Sequence, residues 1–301
     1  MSRATPNDVF LWLALAAMWS SSYAVIKIGL STIDPSVLVL GRMLVGSAVI
    51  YVALKLARMS LSRDPRDWLS YAITGLLGSA LPFFLITWGE QTVDSALASI
   101  LMGTVPVMTL LLAAWVVPDE SLSPRMVVGV LGGLAGIVLL VGPSALSDFG
   151  RDVVAKIAIV GATLCYATST VYIRRFVSRP ALEMATGSMF VGTVFMACVV
   201  ALKGAALTSI EPTFASLGAV LYLGLFSTAC ANLIYFHLVP RLGATRMSQV
   251  NFAVPVGGAL LGMLLLGEVL TTLRIVALAV IIGSVWHGTG AKRNHATSAP
   301  Y

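Results

Sequence analysis

Charge is what this chain has least of. Of its 301 residues only 11% are Asp, Glu, Lys or Arg, against 58% hydrophobic and a mean hydropathy of +0.93. A soluble domain carries about 25% charged residues, so there is too little polar surface to cover a water-exposed globule. Long polar segments are missing too, and the short loops between apolar runs leave no room for a soluble domain. The three cysteines, Cys165, Cys198 and Cys230, are scattered through apolar stretches. They are too dispersed for a zinc site, are not placed like exposed disulfide partners, and read as small hydrophobes. Neither a G-x-x-x-x-G-K-[ST] phosphate loop nor an H-E-x-x-H pair occurs. ATP hydrolysis at a P-loop and zincin chemistry are thereby excluded, and no metal and no cofactor is expected. Carboxylates are missing from mid-run positions: Glu183 lies near the inner end of a run, while Glu90 and Asp94 frame a loop. His237, at the inner end of a run, is then the remaining candidate for carrying a coupling proton. Should the chain prove to carry a solute, that pattern predicts facilitated diffusion or weak coupling.

What the chain does have is apolar length. Ten runs lie near 8–29, 35–55, 68–88, 93–117, 124–142, 153–173, 181–202, 214–237, 244–266 and 271–288. Roughly 20 apolar residues cross a bilayer as a helix, so the fold class predicted is an all-α integral membrane protein with ten transmembrane helices. The first run has the look of a signal peptide, with Arg3 before it and small residues at Ser20–Ser22, but it continues through Tyr23 and reads as retained. With the N-terminus placed in the cytoplasm, 13 Lys and Arg fall on the inner side. Five fall outside (Lys27, Arg151, Lys156, Lys203 and Arg274), and Arg42 lies within the second run. This split predicts that both termini are cytoplasmic and that 289–301 is a disordered cytoplasmic tail.

The halves repeat. Ser99-Ile-Leu-Met-Gly-Thr-Val-Pro106, followed by Glu120, matches Ser248-Gln-Val-Asn-Phe-Ala-Val-Pro255, followed by Glu268, and seven residues separate Ser from Pro in both. Trp19-Ser-Ser-Ser-Tyr-Ala-Val-Ile-Lys27 lines up with Tyr166-Ala-Thr-Ser-Thr-Val-Tyr-Ile-Arg174, and Pro35 with Pro180. Five spans per half is an odd number, so the second repeat (153–288) is expected upside down relative to the first (8–142). Inverted repeats are characteristic of secondary transporters with a site near the midplane. Pro106 and Pro255 are expected to kink their helices and to serve in gating. Ser123 and Thr271 read as helix N-caps, with Glu120 and Glu268 solvated nearby. Gly129, Gly132, Gly133 and Gly136 offer a close-packing face, either scaffold or dimer contact in an otherwise monomeric protein.

Together, the ten spans, the Trp19–Lys27 segment, Arg42 in span two, and the duplicated proline, glutamate and glycine-rich pattern resemble the drug/metabolite transporter superfamily, EamA-like branch. The match runs from about residue 10 to 288, and Gly187 or Ser188 stands where span seven would carry a second Arg42. The resemblance implies an inner-membrane exporter of small metabolites, amino acids and aromatic compounds among them. Drug-like cations and nucleotide sugars stay open as cargo. The partners expected are a small-molecule substrate and the lipid bilayer, with no nucleic acid. From other classes, a passive channel and an intramembrane enzyme with a serine near His237 or His287 are the alternatives.

Polar groups at mid-span are costly in a bilayer and therefore mark candidate sites. Helical spacing gives Thr228, Asn232 and Tyr235 one face of span eight. The matching stripe of span three is Ser79, Phe83 and Ile86, with Trp88 close by. Spans four and nine offer Ser99 and Met102, and Ser248 and Asn251; spans one and six offer Trp19, Ser22 and Tyr23, and Tyr166, Ser169 and Thr170. A cavity of neutral hydrogen-bonding groups and rings suits a small zwitterion or amphiphile. Each Ser or Thr alone can equally back-bond to its own helix. Arg42 is either a counter-charge for a substrate carboxylate or a donor to helix C-terminal carbonyls near the outer face.

Overall fold

The computed structural model describes residues 5–93, 98, 101–118, 123–141, 152–204, 212–257 and 272–289. Regular structure among them is entirely helical: α1 (Pro6–Leu30), α2 (Pro35–Leu56), α3 (Pro65–Gly89), α4 (Val105–Val116), α5 (Pro124–Val141), α6 (Val153–Phe176), α7 (Ala181–Lys203), α8 (Phe214–Leu242), α9 (Ala244–Ser248) and α10 (Thr272–Thr289). Six of these, α1, α2, α3, α6, α7 and α8, are long and apolar enough to cross a bilayer. At about 1.5 Å per residue they reach roughly 33–43 Å, against a hydrocarbon core of about 30 Å. Bulky apolar side chains such as Trp115, Leu202, Phe214 and Trp286 point outward, as lipid contact requires.

Proline and a cap open four of the helices. Pro6, Pro35, Pro65 and Pro124 stand at first-turn positions, where a missing N–H loses no bond. The preceding side chains cap them: Thr5 accepts from the Asp8 amide (3.2 Å), Asp34 from Ser36 (2.8 Å), Asp64 from Arg66 (2.9 Å) and Ser123 from Met126 (3.2 Å). Thr271, Glu120 and Glu268 lie outside the described residues.

Two local features depart from the sequence expectation. First, α3 and α8 each contain a π-helical turn, at Leu76–Ala80 and Leu223–Cys230. The Leu81 amide donates five residues back to Leu76, and the Ala231 amide to Phe226. Each such turn holds an extra residue and shifts which side chains share a face beyond it. Second, Pro106 does not kink a continuous helix. The chain breaks at Gly103–Thr104, where the Thr104 amide donates to Leu101 (3.0 Å), and α4 then begins afresh with Pro106 in its first turn. A similar turn at Gln249 separates α9 from the helical residues 250–257. Pro255 sits inside that segment and leaves the Asn251 carbonyl without its usual donor four residues on.

The main helix pairings are α5–α10, α2–α7, α3–α7, α3–α6, α1–α8, α2–α8 and α4–α6. Each joins a helix of the first 141 residues to one beginning at residue 153 or later. At the α3–α7 crossing the backbones themselves meet: a Cβ on Gly75 would lie 2.3 Å from the Ser188 carbonyl oxygen, and one on Gly192 would lie 2.9 Å from that of Gly75. Ser188 and Gly192 form a small-xxx-small pair, the usual device for close packing in a bilayer. The glycine face of α5 is covered within the chain, since a Cβ at Gly132, Gly133 or Gly136 would strike Ser284, Phe252 or Ile281 at 2.5–2.6 Å.

Ion pairs tie helix ends together. At one end of the bundle Arg241 holds Asp8 (2.9 Å), Arg179 pairs with Asp67, and the Tyr71 hydroxyl donates to Glu183 (2.6 Å). At the other end Lys203 pairs with Asp34 (3.3 Å), while the Lys27 ammonium donates to the backbone carbonyls of Glu90 and Val93.

Candidate functional site

A cavity lies where α1, α2, α3, α6 and α8 converge with the broken segments around α4 and α9. From α1 it takes Trp19, Ser22, Tyr23 and Ile26; from α2, Arg42; from α3, Phe83 and Ile86. Met102 and Val105 flank the break before α4. The second half supplies Tyr166, Thr170, Tyr235, Ser248, Asn251 and Val254.

Several lining hydroxyls are turned back on their own helices, an outcome the sequence left open. Ser22 donates to the Trp19 carbonyl (2.7 Å), Thr170 to Tyr166 (2.6 Å) and Ser248 to Thr245 (2.8 Å). Thr170 also shares a hydrogen bond with the Tyr235 hydroxyl, whose ring sits 5.8 Å from that of Trp19. The Asn251 amide uses one N–H, on the Ser248 carbonyl (2.9 Å), and keeps its oxygen and second N–H.

Arg42 is the one charged group of the lining and is only 4% exposed. Its guanidinium lies 4.0 Å over the Phe83 ring, Nε donates to Thr228 Oγ1 (3.0 Å), and an NH2 hydrogen reaches the Ser227 carbonyl at a long 3.5 Å. Its polar partners therefore belong to the π-turn of α8. They are not the helix C-terminal carbonyls near the outer face that one sequence reading supposed. A guanidinium carries five N–H donors, so most of them are unused by these bonds.

Of the residues singled out from sequence, Trp19, Ser22, Tyr23, Arg42, Phe83, Met102, Tyr166, Tyr235, Ser248 and Asn251 line the cavity. Five others lie away from it. Thr228 is buried and engaged by Arg42, and Asn232 donates to the Thr228 carbonyl (2.9 Å), so both stand behind the lining. Ser79 is buried in the π-turn of α3, and Ser169 packs against Gly78, where a Cβ would come within 2.6 Å of its hydroxyl oxygen. Trp88 is exposed on the opposite side of α3 from Ile86. The α-helical period that groups Ser79 with Phe83 and Thr228 with Tyr235 fails across a π-turn, Ser169 sits on the side of α6 that faces α3, and Trp88, two residues past Ile86, falls about 200° around the helix. Ser99 lies outside the described residues. Ile86 and Thr170, also named in the sequence stripes, line the cavity as well; Ile26, Val105 and Val254 join them, and the i, i+3 spacing from Tyr23 and Asn251 would have found Ile26 and Val254.

Glu90 frames the loop after α3, as its sequence position suggests, but it is fully buried at 0% exposure, which the sequence did not show. Neither carboxyl oxygen has a hydrogen-bond partner. Among the described residues no group of His, Cys, Asp and Glu is placed to hold a metal ion.

Comparison with known proteins agrees with this architecture. The profile of the EamA-like transporter family matches residues 8–142 and 154–287. The uncharacterized transporter YoaV of Bacillus subtilis is 23% identical over 278 residues, spanning 92% of this chain and 94% of that protein. The uncharacterized inner membrane transporter YedA of Escherichia coli is 29% identical, spanning 90% of this chain and 87% of its own. A probable terminal-alkyne amino-acid exporter of Streptantibioticus cattleyicolor is likewise 29% identical, with 89% and 88% covered. A crystal structure 23% identical in sequence superposes with a TM-score of 0.77 over 96% of this chain and 98% of that one, which shows the shared fold. A multi-span helical membrane protein whose relatives are transporters and whose sequence matches that profile over nearly its whole length, this chain belongs to the EamA-like transporter family.

Proposed function

We propose that this transporter is a secondary exporter of small zwitterionic metabolites, amino acids including aromatic ones, working by alternating access around the cavity. The observation that carries this reading is the lining itself: neutral amide and hydroxyl groups, four aromatic rings besides that of Phe83, and Arg42 as the single charge. Spare guanidinium donors suit a substrate carboxylate, the Asn251 amide oxygen suits an ammonium group, and Trp19 with Tyr235 suits an apolar or aromatic side chain. A cationic drug would meet a like charge at Arg42. The name of the Streptantibioticus cattleyicolor relative supports the same substrate class.

Ten spans in two inverted halves account for the helix pairings. Exchanging halves turns α3–α6 into α8–α1 and α3–α7 into α8–α2, and leaves α2–α7 and α5–α10 unchanged; all of these occur. The π-turns begin at Leu76 and Leu223, 147 residues apart, an offset that also relates the Trp19 and Tyr166 segments. Ion pairs link the halves at both ends. Partly exposed pairs contribute only about 0–1 kcal/mol each, which suits contacts that alternately break and form. The inner membrane, with both termini in the cytoplasm, is the location that fits the distribution of Lys and Arg.

Counterflow in proteoliposomes tests the proposal with radiolabelled L-alanine, L-phenylalanine and L-tryptophan. Saturable exchange that is lost in Arg42→Met supports it. Flux that never saturates favours a channel, and absence of exchange with every amino acid overturns the substrate assignment.

A further inference from the structure

Phe83, Ile86 and Glu90 stand at i, i+3 and i+7 along the last turns of α3, one helical stripe. Phe83 underlies Arg42 and Ile86 lines the cavity, so Glu90 continues the same face at the cavity's end nearest the α3–α4 connection. On α1 the cavity residues Tyr23 and Ile26 lead likewise to Lys27, which reaches across to the backbone carbonyl of Glu90 and not to its carboxyl. The charged and titratable groups of the surrounding helices are Tyr23 and Lys27 on α1, Arg42 on α2, and Lys156 and Tyr166 on α6, the helix against which Gly89 packs. None of them gives a hydrogen bond to the Glu90 side chain.

A carboxylate sealed from water without a donor is strongly penalised, so this conformation holds the neutral acid. Burial pushes the carboxyl up to about 8, against the opposing pull of Lys27 and Arg42. A conformation that wets this end of the cavity restores the ordinary acidity of a glutamate.

We infer that Glu90 is a proton-binding site linked to the opening of the cavity, so that the transporter releases a proton from Glu90 when this end opens and takes one up when it closes. This rests on the alternating-access reading above and replaces simple facilitated diffusion as the expected mode. In the step, the O–H bond of the acid breaks, the proton passes to water, and the electron pair stays on the oxygen, leaving a carboxylate near Lys27 and Arg42. Because the two conformations bind different numbers of protons, a pH gradient biases the equilibrium between them, and by reciprocity substrate that favours one conformation shifts proton binding.

Infrared difference spectroscopy of the full chain in liposomes, titrated between about pH 5 and pH 9 and without substrate, tests the site directly. The expected result is a protonated-carboxyl stretch that disappears in the neutral range and is absent in Glu90→Gln. Glu90→Asp keeps a shifted, titrating band, which serves should the glutamine variant fail to fold. A second arm follows amino-acid counterflow at stepped pH: the wild type varies with pH and Glu90→Gln flattens the profile. A carboxyl band that ionises below about pH 5, or one that persists in Glu90→Gln, overturns the inference. If the band titrates as expected while no amino acid exchanges, the substrate assignment fails and the proton site stands.

Discussion

The α3–α7 crossing gives a steric prediction that does not depend on substrate. A methyl group at Gly75 would sit 2.3 Å from the Ser188 carbonyl oxygen, while real Cβ contacts essentially never fall below 3.0 Å. The difference, 3.0 − 2.3, obliges at least 0.7 Å of separation. The obstructing atom is backbone, so no rotamer change relieves it; the two helices must part along a seam that is closely packed. Gly218, on α8, is the matched control, because a Cβ there meets nothing within 4 Å. Both Gly→Ala changes gain the same helix-propensity term, about 0.5–1 kcal/mol, which cancels in the comparison. What remains is overpacking, which costs about 1–3 kcal/mol. Reversible unfolding in mixed dodecyl maltoside and SDS micelles, followed by circular dichroism, measures the difference between Gly75→Ala and Gly218→Ala. If the two variants are equally stable, backbone contact at this crossing is not what holds α3 and α7 together.

Four further outcomes follow from other contacts. The Glu90 carboxyl is raised from 4.5 to about 8. The folded protein therefore holds a proton that the unfolded chain gives up, stability is full below about 4.5, and it falls as pH rises through about 8. Between pH 6 and pH 8 the wild type should lose about 2 kcal/mol in the same micelle assay, and Glu90→Gln should lose none. Thr228→Val removes the acceptor of the Arg42 Nε–H and should destabilise by about 1.5–3 kcal/mol, with Thr228→Ser restoring it. Tyr235→Phe keeps the contact with Trp19 and loses the hydrogen bond to Thr170, so a loss of about 1 kcal/mol is expected, whereas Tyr235→Ala should also weaken competition by aromatic amino acids in counterflow. In a cysteine-free background, Arg63→Cys should resist and Gln91→Cys should accept an impermeant maleimide added to intact cells; the reverse would invert the proposed orientation.

Much of this molecule can be read from its residues. Ser123 before Pro124 placed the start of α5, and the run opening at Pro35 that of α2, because capping residues and proline act on the few bonds next to them; the same pattern at Thr5–Pro6 and Asp64–Pro65 puts α1 and α3 two to three residues earlier than their apolar runs suggested. The face of α1, and Tyr166 and Thr170 on α6, were legible because both helices keep the α-helical period throughout, although Ser169 beside them turns to α3. Where the period changes, the reading fails: the π-turn of α8 separates Thr228 from Tyr235 and sends the first to Arg42 and the second to the cavity. Proline at 106 announced an irregularity and did not say that the break precedes it, since a first-turn proline and an interior one look alike in sequence. The burial of Glu90 was illegible for another reason. Its burial comes from α1 and α6 closing over the end of α3, a tertiary fact with no local signature.

The π-turns of α3 and α8 bear on how such a bundle changes shape. An α-helix turns about 100° per residue, so a turn that gives up its extra residue rotates everything beyond it by that amount. In α3 that motion would carry Phe83, Ile86 and Glu90 as one rigid blade out of the lumen, without bending the helix or breaking more than the local bonds. The same operation in α8 would swing Tyr235 away from Trp19. Two such swivels would give the helices discrete angular stops, much as a camshaft lifts and seats its valves while its bearings stay fixed.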